Sequence, residues 1–134
     1  KTIFGIAVDD AHHFQGEFHP DRANPGRGWV AVRAAALDAA ELMASLEAGH
    51  FYASTGVELV EIAVRPTSLE VHIAQDRDFR YVTMFIGASG EILLETEDNP
   101  AVFQLTEDVG YVRARVSNSR SDYAWTQPVF VTRR

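Results

Sequence analysis

"YVRARVS", residues 111–117, alternates Val112, Ala114 and Val116 with Arg113 and Arg115, so an extended backbone would carry one apolar face and one charged face. A strand with one wet face belongs to an antiparallel sheet. Segments of similar length surround it: "VELVEIAV" (57–64), "LEVHIA" (69–74), "YVTMFIG" (81–87), "EILLET" (91–96), "AVFQL" (101–105) and "YAWTQPVFVT" (123–132). Between them stand the turn formers "RPTS", "QDRD", "ASG", "EDNP" and "NSRSD". Short strands broken by turns about every 8–12 residues predict a mainly β chain with an antiparallel, immunoglobulin-like β-sandwich over residues 57–134. Within it, Arg113 and Arg115 are expected on a solvated face and Trp125 at the end of the core.

Upstream the pattern changes. In "LDAAELMASLEAGHF" (37–51), Asp38 can cap the free amide of Glu41 in a capping-box pattern. Ala39, Leu42, Met43 and Leu46 then share a face, and Gly49 supplies a left-handed stop, which predicts a helix over about 38–48. "WVAVRAA" (29–35) reads as a strand, and "QGEFHPDRANPGRG" (15–28), aperiodic and rich in Gly and Pro, as a long loop. "TIFGIAV" (2–8) is apolar at consecutive positions, the composition of a strand buried on both faces, as in a parallel sheet. Two units are expected, residues 1–56 and 57–134.

The 134 residues suffice for one core, and a net charge of −7 with arginines scattered along the chain argues against a nucleic-acid partner. No cysteine is present, so a metal site would have to use His, Asp or Glu. No apolar run approaches the roughly 18 residues of a membrane span, and a cytoplasmic location without membrane contact is expected.

Three of the five histidines fall within residues 9–19, beside Asp9, Asp10 and Glu17. Asp10 and His12, two apart in an extended segment, project to the same side and could chelate together, and a carboxylate with an imidazole suits Zn, Mn or Fe. Such an ion can activate water for hydrolysis, but a catalytic site needs at least three protein ligands. The same residues also suit a polar loop with turn-forming aspartates.

"GIAVDDAHHF" (5–14), "GRGWVAVRA" (26–34) and "LEAGHFYASTG" (46–56), in that order, resemble the C-terminal part of PHP-family (polymerase and histidinol phosphatase) metal-dependent phosphoesterases that carry a β domain after the barrel. The resemblance implies that residues 1–56 are the end of a distorted (β/α) barrel (strand, loop, strand and helix) and that 57–134 are its appended sandwich. It assigns Asp10 and His12 to the family's Asp-x-His metal ligands and gives Asp9 and His13 orienting or substrate-facing roles. The family's His-x-His motif and further ligands have no counterpart among His19, His50 and His72. The resemblance therefore implies a divalent metal and a phosphate-ester substrate in a longer protein, and an inactive fragment without metal here.

His50, next to Gly49, is read as a capping or surface residue and His72 as a solvated strand residue. Ser54 and Thr55 could contact an anion, although a turn packed over Phe51 and Tyr52 explains them as well. The alternative function is a non-catalytic sandwich that binds a partner, tested by whether Tyr81, Phe85, Tyr111, Tyr123 and Trp125 are buried. An unpaired apolar segment at residues 2–8 is further expected to recruit a neighbour, including a second copy to form a dimer.

Overall fold

The computed structural model describes residues 2–131. Its elements are β1 (Trp29–Val32), α1 (Ala39–Ala48), β2 (Phe51–Ser54), β3 (Leu59–Val64), β4 (Ser68–Ile73) and β5 (Tyr81–Ile86), followed by β6 (Ile92–Thr96), β7 (Ala101–Gln104), β8 (Tyr111–Asn118), β9 (Tyr123–Thr126) and β10 (Val129–Phe130). All strand pairs are antiparallel. The larger sheet runs β1-β2-β9-β8-β5-β6, with β10 also on β8, and the smaller runs β3-β4-β7. Among the described residues α1 is the single helix, and no helix is long and apolar enough to cross a membrane.

The alternation in β8 does what its sequence requires. Val112, Ala114 and Val116 are fully buried and face Leu69, Val71 and Ala101 of the smaller sheet across one core. Phe85 of β5 is wholly buried and stacks on Phe103 of β7 with ring centroids 5.3 Å apart, tying the two sheets together. Ala101, Ala114 and Ala124, all fully buried, are the small residues that leave room for these rings.

The helix is close to its predicted bounds. The Asp38 carboxylate accepts from the amides of Ala40 and Glu41 at 2.9 and 3.1 Å, and Gly49 closes the helix at φ 74°. A side chain at Gly49 would meet the Phe4 ring at 2.5 Å. The predicted face is only half realised: Leu42 and Leu46 are half-buried and Ser45 is buried, while Ala39 and Met43 are exposed. The Ser45 hydroxyl donates to the Arg33 carbonyl at 2.8 Å, anchoring α1 beyond the end of β1.

Four local expectations are corrected. Residues 2–8 form no strand: Ile3, Ile6 and Val8 are 84, 65 and 69 % exposed. A segment apolar on both sides needs a layer on each, and this chain supplies one. The segment crosses the outer face of the larger sheet, held where Gln127 donates to and accepts from the Gly5 backbone at 2.8 and 2.9 Å and where Phe4 meets Phe51 edge-on. "FYAS" (51–54) is not a turn but β2, paired with β1 and β9, so the larger sheet runs across the expected boundary at 56/57. Trp125 lies outside the core, on the outer face of the larger sheet, because Ala124 and Thr126 on either side of it are the buried positions. His72 is half-buried rather than solvated, its Nε2 within 4.0 Å of carboxylate oxygens of Glu61 and Glu70.

Glu70 also carries a titratable contact. Arg65 Nε donates to its carboxylate at 2.8 Å, and this bond, aided by the Ser68 hydroxyl against some desolvation, holds the carboxyl below the ordinary glutamate value. A depressed folded value means that the pair's contribution is complete above the unfolded glutamate pKa and is lost as pH falls through the folded one. In Arg65→Gln the Glu70 carboxyl resonance is expected to titrate at higher pH than in the wild type. An unchanged midpoint would remove Arg65 as the cause.

Candidate functional site

The Asp-x-His segment begins where residues 2–8 leave the sheet. Asp9 is its anchor. One carboxylate oxygen accepts from the amides of Arg27 and Gly28 at 2.5 and 2.7 Å, so the C-terminal end of the long loop is fastened to this side chain. The backbones touch there, since a side chain at Gly28 would lie 2.8 Å from the Val8 carbonyl oxygen. The amide of Gly28 and then that of Gly26, with smaller help from Arg27 and against some desolvation, hold the Asp9 carboxyl below the usual aspartate value. Asp9 is thus committed to the loop.

The segment is not extended at Asp10 as expected: Asp10 sits at φ 50°, a left-handed conformation that aspartate tolerates better than most residues. Two residues on, the His12 imidazole Nδ1 lies 2.6 Å from the Asp10 carbonyl oxygen. A carbonyl can only accept, so Nδ1 carries the proton, and in the neutral ring the Nε2 lone pair is left free. His12 and the Asp10 carboxylate are both exposed. The amides of His12 and His13 share the Ala23 carbonyl at 2.9 and 3.0 Å, which folds the loop back against the segment. The His13 side chain is exposed.

The loop is aperiodic, as its composition predicts, but it is pinned from within. Buried Asn24 donates to the His19 carbonyl at 2.5 Å, and His19 Nδ1 accepts from the Asp21 amide at 3.2 Å. His19 therefore belongs to the far bend of the loop. His50 donates its amide to the Ser45 carbonyl at 2.8 Å and accepts from Arg33, in keeping with a capping residue with an exposed ring. Among the described residues no group of three or more His, Asp or Glu side chains is placed to hold a metal ion. Asp10 and His12 are at most a pair.

Ser54 and Thr55 are engaged by the chain itself. The buried Ser54 hydroxyl lies 2.7 Å from the Val57 carbonyl and accepts from the Gly56 amide at 3.0 Å. The Thr55 hydroxyl accepts from the Tyr123 amide at 3.0 Å, and the Thr55 amide donates to the Tyr123 carbonyl. The Thr55 bonds fasten the end of β2 to β9, and the Ser54 bonds close the turn that follows, so the Ser54 hydroxyl is satisfied by the chain itself.

The outer face of the larger sheet carries a second group of residues. Tyr123 and Trp125 stack at 5.4 Å between centroids, 20° from parallel, and the Arg115 guanidinium carbon lies 5.9 Å from the Tyr123 ring centre. Of the five aromatic side chains whose burial tests for a binding platform, Tyr81 and Phe85 are buried, but Tyr111, Tyr123 and Trp125 keep part of their surface open. The alternation of β9 carried the signal, since small Ala124 and Thr126 point inward and leave Trp125 outward.

Compared with known proteins, the chain matches no family model, no curated protein and no solved structure.

Proposed function

We propose that the chain is the C-terminal part of a PHP-type metal-dependent phosphoesterase, in which Asp10 and His12 are two ligands of a larger metal set and an immunoglobulin-like sandwich supports the catalytic body. The observation that carries this reading is the His12 tautomer. An imidazole whose Nδ1–H is tied to a backbone carbonyl, leaving Nε2 toward solvent, is oriented in the way a metal-ligating histidine is. The exposed Asp10 carboxylate two residues away and the loop held by Asp9 are compatible with the same role. A divalent ion bound there, Zn, Mn or Fe, would supply the charge that polarises a phosphate ester and activates water. The exposure of apolar Ile3, Ile6 and Val8 supports the view that residues 2–8 meet a further layer in a longer protein.

Manganese added to this chain tests the half-site. Two ligands give weak binding, so substoichiometric Mn2+ is expected to broaden the amide signals of residues 9–13 before those of the acidic turns, and Asp10→Asn should abolish that preference. The asparagine keeps the left-handed backbone accessible. Broadening that follows only the acidic turns and ignores Asp10→Asn would remove the reading.

A second reading, a non-catalytic sandwich that binds a ligand, is favoured by the partly open Tyr111, Tyr123 and Trp125.

A further inference from the structure

Along the outer face of the larger sheet, residues 3–8 form one wall of a groove of about 650 Å³ whose floor includes Tyr111, Arg113, Trp125 and Pro128. The wall is fixed by the Gln127–Gly5 pair of hydrogen bonds, so the groove is built into this chain. Its charge is unusual for the molecule. The chain is acidic overall, yet no carboxylate within ion-pair distance of Arg113 or Arg115 is found among the described residues, whereas Arg65 and Arg120 each have one. Every other described arginine is exposed to solvent, while Arg113 and Arg115 are half-buried. Arg115 lies next to the groove with its Nε buried and unbonded, one terminal nitrogen 2.9 Å from the Met84 sulfur. Two half-buried guanidiniums without counterions, two residues apart on one strand face, concentrate positive potential beside aromatic surface.

We infer that this groove binds a small organic anion with a flat ring, its phosphate or carboxylate on the Arg113 guanidinium and its ring against Trp125. Guanidinium matches either oxyanion with a forked pair of hydrogen bonds, and the apolar wall of residues 3–8 suits the ring. Arg115, behind the Tyr123–Trp125 stack, adds attraction at short range. The inference is independent of the Asp10–His12 reading.

The chain has two tryptophans, and Trp29→Phe leaves Trp125 as the sole indole reporter. In that background phenyl phosphate and benzoate are titrated against uncharged benzyl alcohol, following Trp125 fluorescence. Saturable change with at least one anion at millimolar or lower concentration is expected, with benzyl alcohol at least about tenfold weaker, as loss of a charged hydrogen bond implies. The tighter anion identifies the head group. Arg113→Gln should weaken binding by about tenfold or more, and Arg113→Lys, which keeps charge and fold but not the fork, by several-fold. No response to either anion, equal response to benzyl alcohol, or affinity unchanged in the Arg113 variants would overturn the inference.

Discussion

Phe85→Ala is expected to cost about 3–5 kcal/mol, the largest single-site loss in the molecule, and to lower the thermal midpoint by roughly 10–20 °C. Phe85 has no accessible surface, and its ring stacks on Phe103 across the two sheets. Its sheet neighbours make collapse into the void difficult. On β8 it faces Ala114, whose side chain is already minimal, and on β6 it faces Leu94, which is partly exposed. The substitution therefore removes both the transfer energy of the ring and the contact that joins the sheets. Leu37→Ala is the matched control, because Leu37 is 94 % exposed and should change stability by no more than about 0.5 kcal/mol. Thermal denaturation of the three proteins measures this directly. A loss near that of the control would mean that the Phe85–Phe103 stack does not organise the core.

Much of the β architecture was legible because its strands carry a two-residue period. In β8 and β4 the buried apolar positions, Val112, Ala114, Val116 and Leu69, Val71, Ile73, are the ones the alternation marks. The helix was legible from its ends, since Asp38 and Gly49 act locally. What failed depended on distant partners. "FYAS" is four residues between glycines with hydroxyls beside it, and only pairing to β1 and β9, the latter some seventy residues away, makes it a strand. Residues 2–8 failed for the opposite reason. Their composition describes burial on two sides, and composition does not say whether both covering layers are in the same chain.

The candidate site divides along the same line. Asp10 and His12 stand out in the sequence as a candidate pair, whereas the contacts of their neighbours are hidden from it. Asp9 reaches amides eighteen and nineteen residues away, and the His12 tautomer follows from the left-handed turn at Asp10, which presents its carbonyl to the ring. No local pattern foretold that the Ser54 hydroxyl would bond the Val57 carbonyl and the Thr55 hydroxyl the Tyr123 amide of β9. Arg113 and Arg115, expected to be solvated, are half-buried: Arg113 lines the groove beside residues 3–8, and Arg115 lies against Met84 and the Tyr123 ring.

The second large effect is expected at the proposed ligand pair, Asp10 and His12. If the proposed function holds, then in a protein extended upstream of residue 1, Asp10→Asn combined with His12→Ala should lower phosphomonoester hydrolysis by at least about 100-fold, since two ligands of a catalytic ion would be lost together. In the present chain the same pair of substitutions should leave stability within about 0.5 kcal/mol, because both side chains are exposed and neither supports the core. Asparagine is used at Asp10 because alanine would add backbone strain at φ 50° and confuse loss of a ligand with loss of fold. A large fall in activity with unchanged stability would separate a ligand from a structural residue.

The most direct test of the central claim is the bound-metal content of that extended protein, measured together with its hydrolysis of p-nitrophenyl phosphate, for the wild type and for the Asp10→Asn, His12→Ala variant. A stoichiometric divalent metal and metal-dependent hydrolysis are expected in the wild type, with both largely lost in the variant. Wild-type protein with neither metal nor hydrolysis, or a variant that keeps both, would contradict the claim.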